Sequence, residues 1–507
     1  MASNDDFLAW FKSQGGEVSP DVGIHVFSDE EGGRGLIALK ELQIGETLFS
    51  VPRSLLLSPK TCELPRRMGE GDWKRFNLSK GWSGLILCMM WEEAKGAESK
   101  WAGYFPWMPT TFSTLMFWSD EELAELKGSG ITEKIGKEDA DREYNDRVLP
   151  AIQACVHVLA LNVARPDLFL PSQAEHYTLQ KFHIAGSRIL SRSFTVHDLA
   201  DEAEEAQAVD AVSEDGDEAP QLIESAAAAV PVANDRDGDV EMQEAHEHDD
   251  EPEPEEEEED SDDEDERATT LVPMADMLNA RSGFNNARLY HERDCLRMCA
   301  ITTIPAGCQL WNTYGDCANE DLLRRYGFVD LVPLEDGTLG NPADIAEVKA
   351  DLVVKIAAVD ASEVQERIDW WLDLGGDDTF DIERTCDVPQ AMTSFSKLLL
   401  MPREEWEKTQ QKDKPPKPKP DTATLALAVK VLRARLAEYP TTLEEDEALF
   451  PTLDPATQWK KRNAVAVRLG EKRILTGTLR RCEEMERSIA GQGSSTKGKR
   501  KGDENGR

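Results

Sequence analysis

Apolar and polar residues alternate from Gly23 to Leu57, through IHVFSDEEGGRGLIALKELQIGETLFSVPRSLLL, with a break at Gly32-Gly33, a turn at Gly45 and a stop at Pro52. A period of two predicts short strands, and the glycines predict the tight turns between them. The alternation returns in NNARLYHERDCLRMCAITTIPAGCQLWNTYG, residues 285–315. There Ala300, Ile304, Gly307 and Leu310 repeat the spacing of Ala38, Leu42, Gly45 and Leu48. One strand, turn, strand unit used twice, far apart in sequence, predicts a single β domain interrupted by a long insertion.

That insertion begins with helical periodicity. In GWSGLILCMMWEEAKG, the residues Trp82, Leu85, Ile86, Met89 and Met90 fall at i, i+3, i+4, i+7 spacing, and Glu92, Glu93 and Lys95 close the run. Trp73, Trp82, Trp91, Trp101, Trp107 and Trp118 all lie in this part, and a tryptophan-rich helical core accounts for most of them. Residues 141–169 and 179–196 predict two further helices, the first broken near Pro150. After Val332 the pattern is helical throughout. Asn341-Pro342 ahead of Asp344 reads as a helix start, with Asn as N-cap, Pro at the first position and an acid in the first turn. Helical spacing runs through Val348, Leu352 and Ile356, then Leu425, Val429, Leu432 and Leu436, then Ile474, Leu475, Leu479 and Cys482. Between them KDKPPKPKP, 412–420, is expected to be an exposed extended loop, since each proline removes a backbone donor. A second, all-α domain is expected here.

Length and charge sharpen this division. A chain of 507 residues exceeds one ordinary core. Of its net charge of −41, residues 201–267 carry −29, from 31 Asp and Glu against Arg236 and Arg267, so the remainder is near −12. That stretch, ending in DDEPEPEEEEEDSDDEDE, has no aromatic residue and too few branched aliphatics to offset chain entropy. Residues 197–268 are therefore expected to be a disordered acidic insertion, either a solubilising loop or an electrostatic lure for basic proteins. The 9 cysteines form no CxxC pair and the N-terminus, MASNDDFLAWF, is polar, which points to reduced thiols, an intracellular protein and no zinc site. No apolar run approaches the roughly 18 residues of a membrane span. Lys497, Lys499, Arg500 and Lys501 in the tail suit a nuclear-import signal or a merely solvated terminus.

The chemistry concentrates between residues 271 and 328. LVPMADMLNA, the alternating stretch and NEDLLRRYGF place Asp276, Asn279, Tyr314 and Tyr326 among apolar residues, where a core would not choose them. GxSxG, GxxxxGK[ST] and HExxH are missing, and the 8 histidines show no ligand spacing. Glycines, one Asn, one Asp and tyrosines suit transfer of an electrophile already activated elsewhere, such as a sulfonium methyl. The nucleophile would be a neutral amine. A lysine, with an ordinary pKa of about 10.4, loses its proton more readily when buried beside a cation, and alignment in a narrow channel supplies much of the rate.

Four blocks carry a family resemblance: GGRGLIALKELQIGETLFSVPRSLLL (32–57), SRILSRSF (187–194), LVPMADMLNA (271–280) and LWNTYGDCANEDLLRRYGFV (310–329). Together they resemble the SET-domain protein lysine methyltransferases of the group that includes the Rubisco large-subunit methyltransferase. Within it the chain is most similar to the fungal ribosomal-protein lysine methyltransferases and their animal nuclear relative. With the helical insertion and the helical C-terminal part, the resemblance covers nearly the whole chain outside the acidic stretch and tail.

The resemblance implies an α+β chain. A split SET β-fold over 1–330 would hold a helical insertion at about 61–194 and the acidic insertion at about 197–268. An all-α substrate-binding domain over 331–490 and a basic tail over 491–507 would follow. It implies S-adenosylmethionine as cofactor, bound by the turn Gly33, Arg34 and Gly35, by Arg192 with Ser191 beside it, by Asn279 in a threaded loop, and by Tyr326. A tight hairpin alone would also explain those glycines. Asp276 would lie near the substrate lysine, Tyr314 would orient its amine as the catalytic residue, and Trp311 would wall the channel or fill the core. Ala280 departs from the Asn-His of many members, which puts a side-chain contact in doubt but not the backbone at that position. The cysteine-rich zinc segment of many histone methyltransferases is missing as well.

The implied partner is a basic protein, a ribosomal protein or another lysine-rich one, with no direct nucleic acid and no membrane. A monomer is expected, in the nucleus, with the cytoplasm also open. A second reading remains: a non-catalytic acidic binder or chaperone of basic proteins on a relic SET scaffold. The intact glycine turn, Arg192, Asn279 and Tyr314 weigh against it.

Overall fold

The structure is a computed structural model that describes residues 3–28, 31–159, 175–197, 267–358 and 361–498. Nearly all of the acidic stretch expected at 197–268, and the end of the basic tail, lie outside the described residues. The chain divides into two compact units, Met1–Phe112 with Gly136–Gly315, and Ser113–Ile135 with Asp316–Arg507.

The first unit is built on two four-stranded sheets. One has the order Glu17–Val18, Thr47–Pro52, Cys295–Ala300, Ala287–His291; the other has Val22–Val26, Arg34–Ala38, Gln309–Asn312, Asn279–Ala280. All pairings are antiparallel except the last, where Trp311 and Asn312 run parallel to Asn279 and Ala280. The two copies of the repeated pattern do more than share a shape: they pair with each other. Leu42 and Ile304 exchange both backbone hydrogen bonds at 2.9 Å, the Gly45 N–H donates to the Ala300 carbonyl at 2.8 Å, and the Gly307 N–H donates to the Ala38 carbonyl at 2.7 Å. Each bond maps onto another when the copies are swapped, so the unit closes about a local two-fold axis. Gly45 and Gly307 turn at φ +80° and +83°, a region that L side chains avoid.

The helical insertion is the core beside these sheets. Helix Ser83–Ala94 is buried from Ser83 through Glu92, more completely than a one-sided amphipathic helix. Trp73, Trp91, Trp101 and Trp107 are buried with it and Trp82 packs against them. Trp118, by contrast, belongs to the second unit, among Leu115, Leu126 and Ile131. Near Pro150 the chain does not leave the helix: a π-helical turn, Tyr144–Val148, joins Lys137–Glu143 to Leu149–Ala154. Such a turn accommodates a ring that has no N–H to donate. Helix Leu179–Arg192 runs straight into strand Ser193–His197, which pairs with Arg267–Leu271. His197 faces Arg267, so the intervening acidic stretch leaves and returns at one place.

The second unit is mostly helical, yet not all-α. Strands Ile345–Lys349 and Thr379–Glu383 form an antiparallel pair, and Val332–Pro333 pairs with Leu339–Gly340. The helix start expected at Asn341-Pro342 is corrected: a strand begins at Ile345, and the helix follows at Ala350–Ala357. The side chains that look like helix caps close only a short turn, with the Ala343 N–H donating to Asn341 Oδ1 at 2.9 Å, and they also bind distant segments. Asn341 Nδ2 donates to the Cys317 carbonyl at 2.9 Å, and Asp344 Oδ1 accepts from the Asn319 N–H at 2.9 Å, capping helix Asn319–Tyr326 across the fold. Helices Thr422–Leu436 and Trp459–Gly498 bury the expected apolar faces, and the lysine-proline segment is an exposed connection held by the Ser394 hydroxyl on the Pro416 carbonyl.

Candidate active site

The glycine turn sits where two sheet segments from opposite ends of the unit meet. Gly32 and Gly33 adopt φ +92° and +70°, and the Gly33 N–H donates to the Ser28 carbonyl at 3.0 Å while its carbonyl accepts from Phe27 at 2.7 Å. Sterics separate the glycines. A Cβ on Gly32 would lie 2.6 Å from Asn279 Cγ; one on Gly35 would lie 2.6 Å from Gln309 Oε1 and 2.8 Å from Asn279 Nδ2. A Cβ on Gly33 would meet nothing within 4 Å. The turn is thus glycine-rich because it closes on the amide of Asn279, with its open side at Gly33.

Asn279 is fixed from both ends. Its backbone pairs with Trp311, and its Nδ2 donates to the Arg34 carbonyl at 3.3 Å and to Gln309 Oε1 at 2.7 Å. Gln309 passes the connection on, its Nε2 donating to the Glu31 carbonyl at 3.1 Å. Ala280, half-buried, continues the strand beside Asn312 and offers only backbone and a methyl group.

A charged cluster lies on the other side. Arg34 stacks its guanidinium 4.5 Å from the Trp107 ring centre and donates to the Trp107 carbonyl. Burial, and the nearby Arg192, make that guanidinium easier to deprotonate than an exposed one. Arg192, at the end of its helix, donates from Nη1 to the Asp276 carbonyl at 2.7 Å and lies 3.6 Å from Oδ2 of the same residue. Tyr104, fully buried in the helical insertion, donates its hydroxyl to Asp276 Oδ2 at 2.8 Å. Burial pushes the Asp276 carboxyl up, against the opposing pull of Arg192 and the Tyr104 hydrogen bond. The loop that carries Asp276 is itself strained, since Met274 holds φ +78° while fully buried. Tyr314, just after strand Gln309–Asn312, donates its hydroxyl to the Leu278 carbonyl at 3.1 Å. Burial pushes this hydroxyl up to about 12, so it is a neutral donor at physiological pH.

The first unit therefore brings together Gly33, Arg34, Gly35, Arg192, Asp276, Asn279, Ala280 and Tyr314. Trp311 is half-buried on the same strand, its ring 6.3 Å from the exposed Phe284. Tyr326 belongs to the second unit, where it closes helix Asn319–Tyr326 and packs 6.2 Å from Phe328; its cofactor role rests on the resemblance alone. Two site residues escaped the sequence reading. Gln309 had a signal, a polar residue inside an apolar strand. Tyr104 had none, because it stands in the aromatic-rich stretch that reads as core.

Among the described residues, two buried atoms in this cluster have no hydrogen-bond partner, Arg192 Nε and Asp276 Oδ1. The open glycine backbone at Gly33 and the unsatisfied guanidinium nitrogen of Arg192 each suit a ligand that carries a carboxylate, as the amino-acid end of S-adenosylmethionine does. The free carboxylate oxygen fits a cation or a donor. The arrangement can bind and orient; it holds no activated Ser, Cys or His nucleophile.

Residues 359–475 match the family model described as Rubisco LSMT substrate-binding. The chain is 29% identical over 355 residues to ribosomal lysine N-methyltransferase 4 of Saccharomyces cerevisiae, which covers 69% of this chain and 59% of that relative. It is 28% identical over 500 residues to N-lysine methyltransferase SETD6 of Bos taurus, covering 92% of this chain and 93% of the relative. Among solved structures, the SET domain of LSMT bound to lysine and AdoHcy superposes with a TM-score of 0.61 at 18% identity, over 95% of this chain and 91% of that one. Rubisco LSMT bound to AdoMet gives 0.60 at 19%, over 96% and 92%.

Proposed function

We propose that this chain, a SET-domain lysine methyltransferase of the Rubisco large-subunit methyltransferase type, transfers methyl groups from S-adenosylmethionine to the ε-amine of a lysine in a basic protein, with a ribosomal protein as the first candidate. The observation that carries the reading is the convergence of the glycine turn, Arg192, Asp276, Asn279 and Tyr314, from distant segments, on one small polar cluster. The ribosomal candidate draws on the name of the yeast relative.

In this reading Gly33, Arg34 and Gly35, Arg192, Asn279 and the backbone of Ala280 hold the cofactor, whose chemistry is an electrophilic methyl on a sulfonium. The family resemblance also assigns Tyr326 to cofactor binding. The chain's own residues do the rest. Tyr314 and the Leu278 carbonyl give the lysine nitrogen one hydroxyl and one carbonyl to align against, which fixes the direction of its lone pair. Trp311 walls the approach, and the buried surroundings disfavour the charged ammonium. The second unit, which carries the 359–475 match, holds the substrate protein, and the acidic stretch draws basic proteins toward it. We further propose a monomer located in the nucleus.

Purified full-length protein with labelled S-adenosylmethionine and acid-extracted ribosomal proteins should incorporate label at lysine. Mass spectrometry of lysine methylation in cells lacking the gene, set against the parent strain, identifies the site. No difference in any basic protein, together with no binding of S-adenosylmethionine by calorimetry, would sink the reading.

A further inference from the structure

Tyr104 is held with unusual care for a residue of a helical core. Trp10 of helix Asn4–Ser13 stacks parallel to it with ring centres 6.1 Å apart, and Gly103 makes room, since a Cβ there would fall 2.2 Å from Trp10 Cγ. So clamped, the Tyr104 hydroxyl meets Asp276 Oδ2 at 2.8 Å. Asp276 is 8% exposed, and among the described residues its Oδ1 has no hydrogen-bond partner. An unsatisfied buried polar atom is expensive to fold around, and more so if charged. A protein that keeps one beside its reaction site keeps it for a group that arrives.

Resting on the methyltransferase reading above, we propose that Asp276 Oδ1 receives the substrate's ε-ammonium and accepts its proton, with Tyr104 as the positioning residue that holds the carboxylate for this step. One N–H bond of the ammonium breaks, its electron pair stays on nitrogen, and an O–H bond forms on Oδ1. Ammonium and carboxylate become amine and carboxylic acid, so the net charge of the site is unchanged; the proton passes to water once the product has left. Burial is what favours the neutral pair: it raises the Asp276 carboxyl against the opposing pull of Arg192, the Tyr104 hydrogen bond and Arg34. The other groups within electrostatic reach are Tyr314, which senses Asp276, and Arg188, whose charge Tyr104 senses.

The test compares full-length wild type, Tyr104→Phe and Asp276→Asn, each checked for folding by thermal melting. Carbon-13 NMR of the Asp276 carboxyl, without cofactor or substrate, reads its titration directly. Because the Tyr104 hydrogen bond lowers this carboxyl, Tyr104→Phe should move its titration to higher pH. The acid limb of kcat/KM on acid-extracted ribosomal proteins should move the same way, and Asp276→Asn should lose that limb and at least tenfold in kcat. A titration and limb unmoved in Tyr104→Phe, or a limb retained in Asp276→Asn, overturns the proposal. If Asp276→Asn does not fold, the Tyr104→Phe titration decides alone. Failure of the wild type to methylate anything counts against the methyltransferase reading, while the NMR titration still decides whether Tyr104 and Asp276 are coupled.

Discussion

Gly33→Ala and Gly35→Ala are neighbouring changes of one methyl group with different expected costs. At Gly35 the new Cβ falls 2.6 Å from Gln309 Oε1 and 2.8 Å from Asn279 Nδ2, the two atoms of the hydrogen bond that holds the Asn279 amide. Those separations lie inside van der Waals contact, so the amide and Gln309 must part. The overpacking costs about 1–3 kcal/mol and the broken buried hydrogen bond about 1 kcal/mol. If roughly 2–3 kcal/mol of this appears in cofactor binding, the Kd rises about 30- to 150-fold. At Gly33 the Cβ meets nothing, and only φ +70° resists, at about 1–2 kcal/mol. Calorimetric titration of both variants with S-adenosylmethionine, beside their melting temperatures, separates a packed glycine from a merely left-handed one. A Gly35→Ala protein that binds within threefold of wild type contradicts this account, whereas any loss at Gly33 beyond the backbone cost measures how closely the cofactor approaches that open side.

Tyr314→Phe deletes the hydroxyl that meets the Leu278 carbonyl and should lower kcat on the order of 100-fold while the cofactor Kd changes less than threefold; full activity would remove Tyr314 from the mechanism. In the second unit, burial pushes Glu320 up to about 8 even though Lys134 lies 2.9 Å away. Its folded value is above the ordinary 4.5, so the stability it contributes is complete below about pH 4.5 and is lost as pH rises through about 8. The urea midpoint of the second unit, followed by hydrogen exchange of its peptides, should fall between pH 5 and 8, and Glu320→Gln should flatten that fall; a midpoint that rises contradicts it. Deleting 201–267 removes a net charge of −29 and should raise KM for ribosomal proteins at low salt but not at high salt; equal KM values at both would leave the stretch a solubilising loop.

Sequence alone was enough for whatever depends on periodicity and local turn chemistry. The alternation around Gly45 and Gly307, the buried run from Leu85 to Met90 and the helical faces of Leu425–Leu436 all appear in the structure where the pattern puts them, because burial of one face leaves a period that neighbouring residues reveal. Polar residues among apolar ones marked Asp276, Asn279 and Tyr314, and the family resemblance added Arg34. What the pattern could not carry was the use of a polar side chain by a distant segment. Asn341 and Asp344 look like a helix cap, but Asn341 closes only a turn at Ala343 while both also serve Cys317 and the helix at Asn319, and a strand begins where a helix is expected. Gln309 and Tyr104 are committed to Asn279 and Asp276 across 30 and 172 positions. A hydrogen bond is specified by position in space and leaves no period along the chain; only tertiary packing decided that two sheets close about a local two-fold, and that a tyrosine of the helical insertion reaches the carboxylate at the centre of the site.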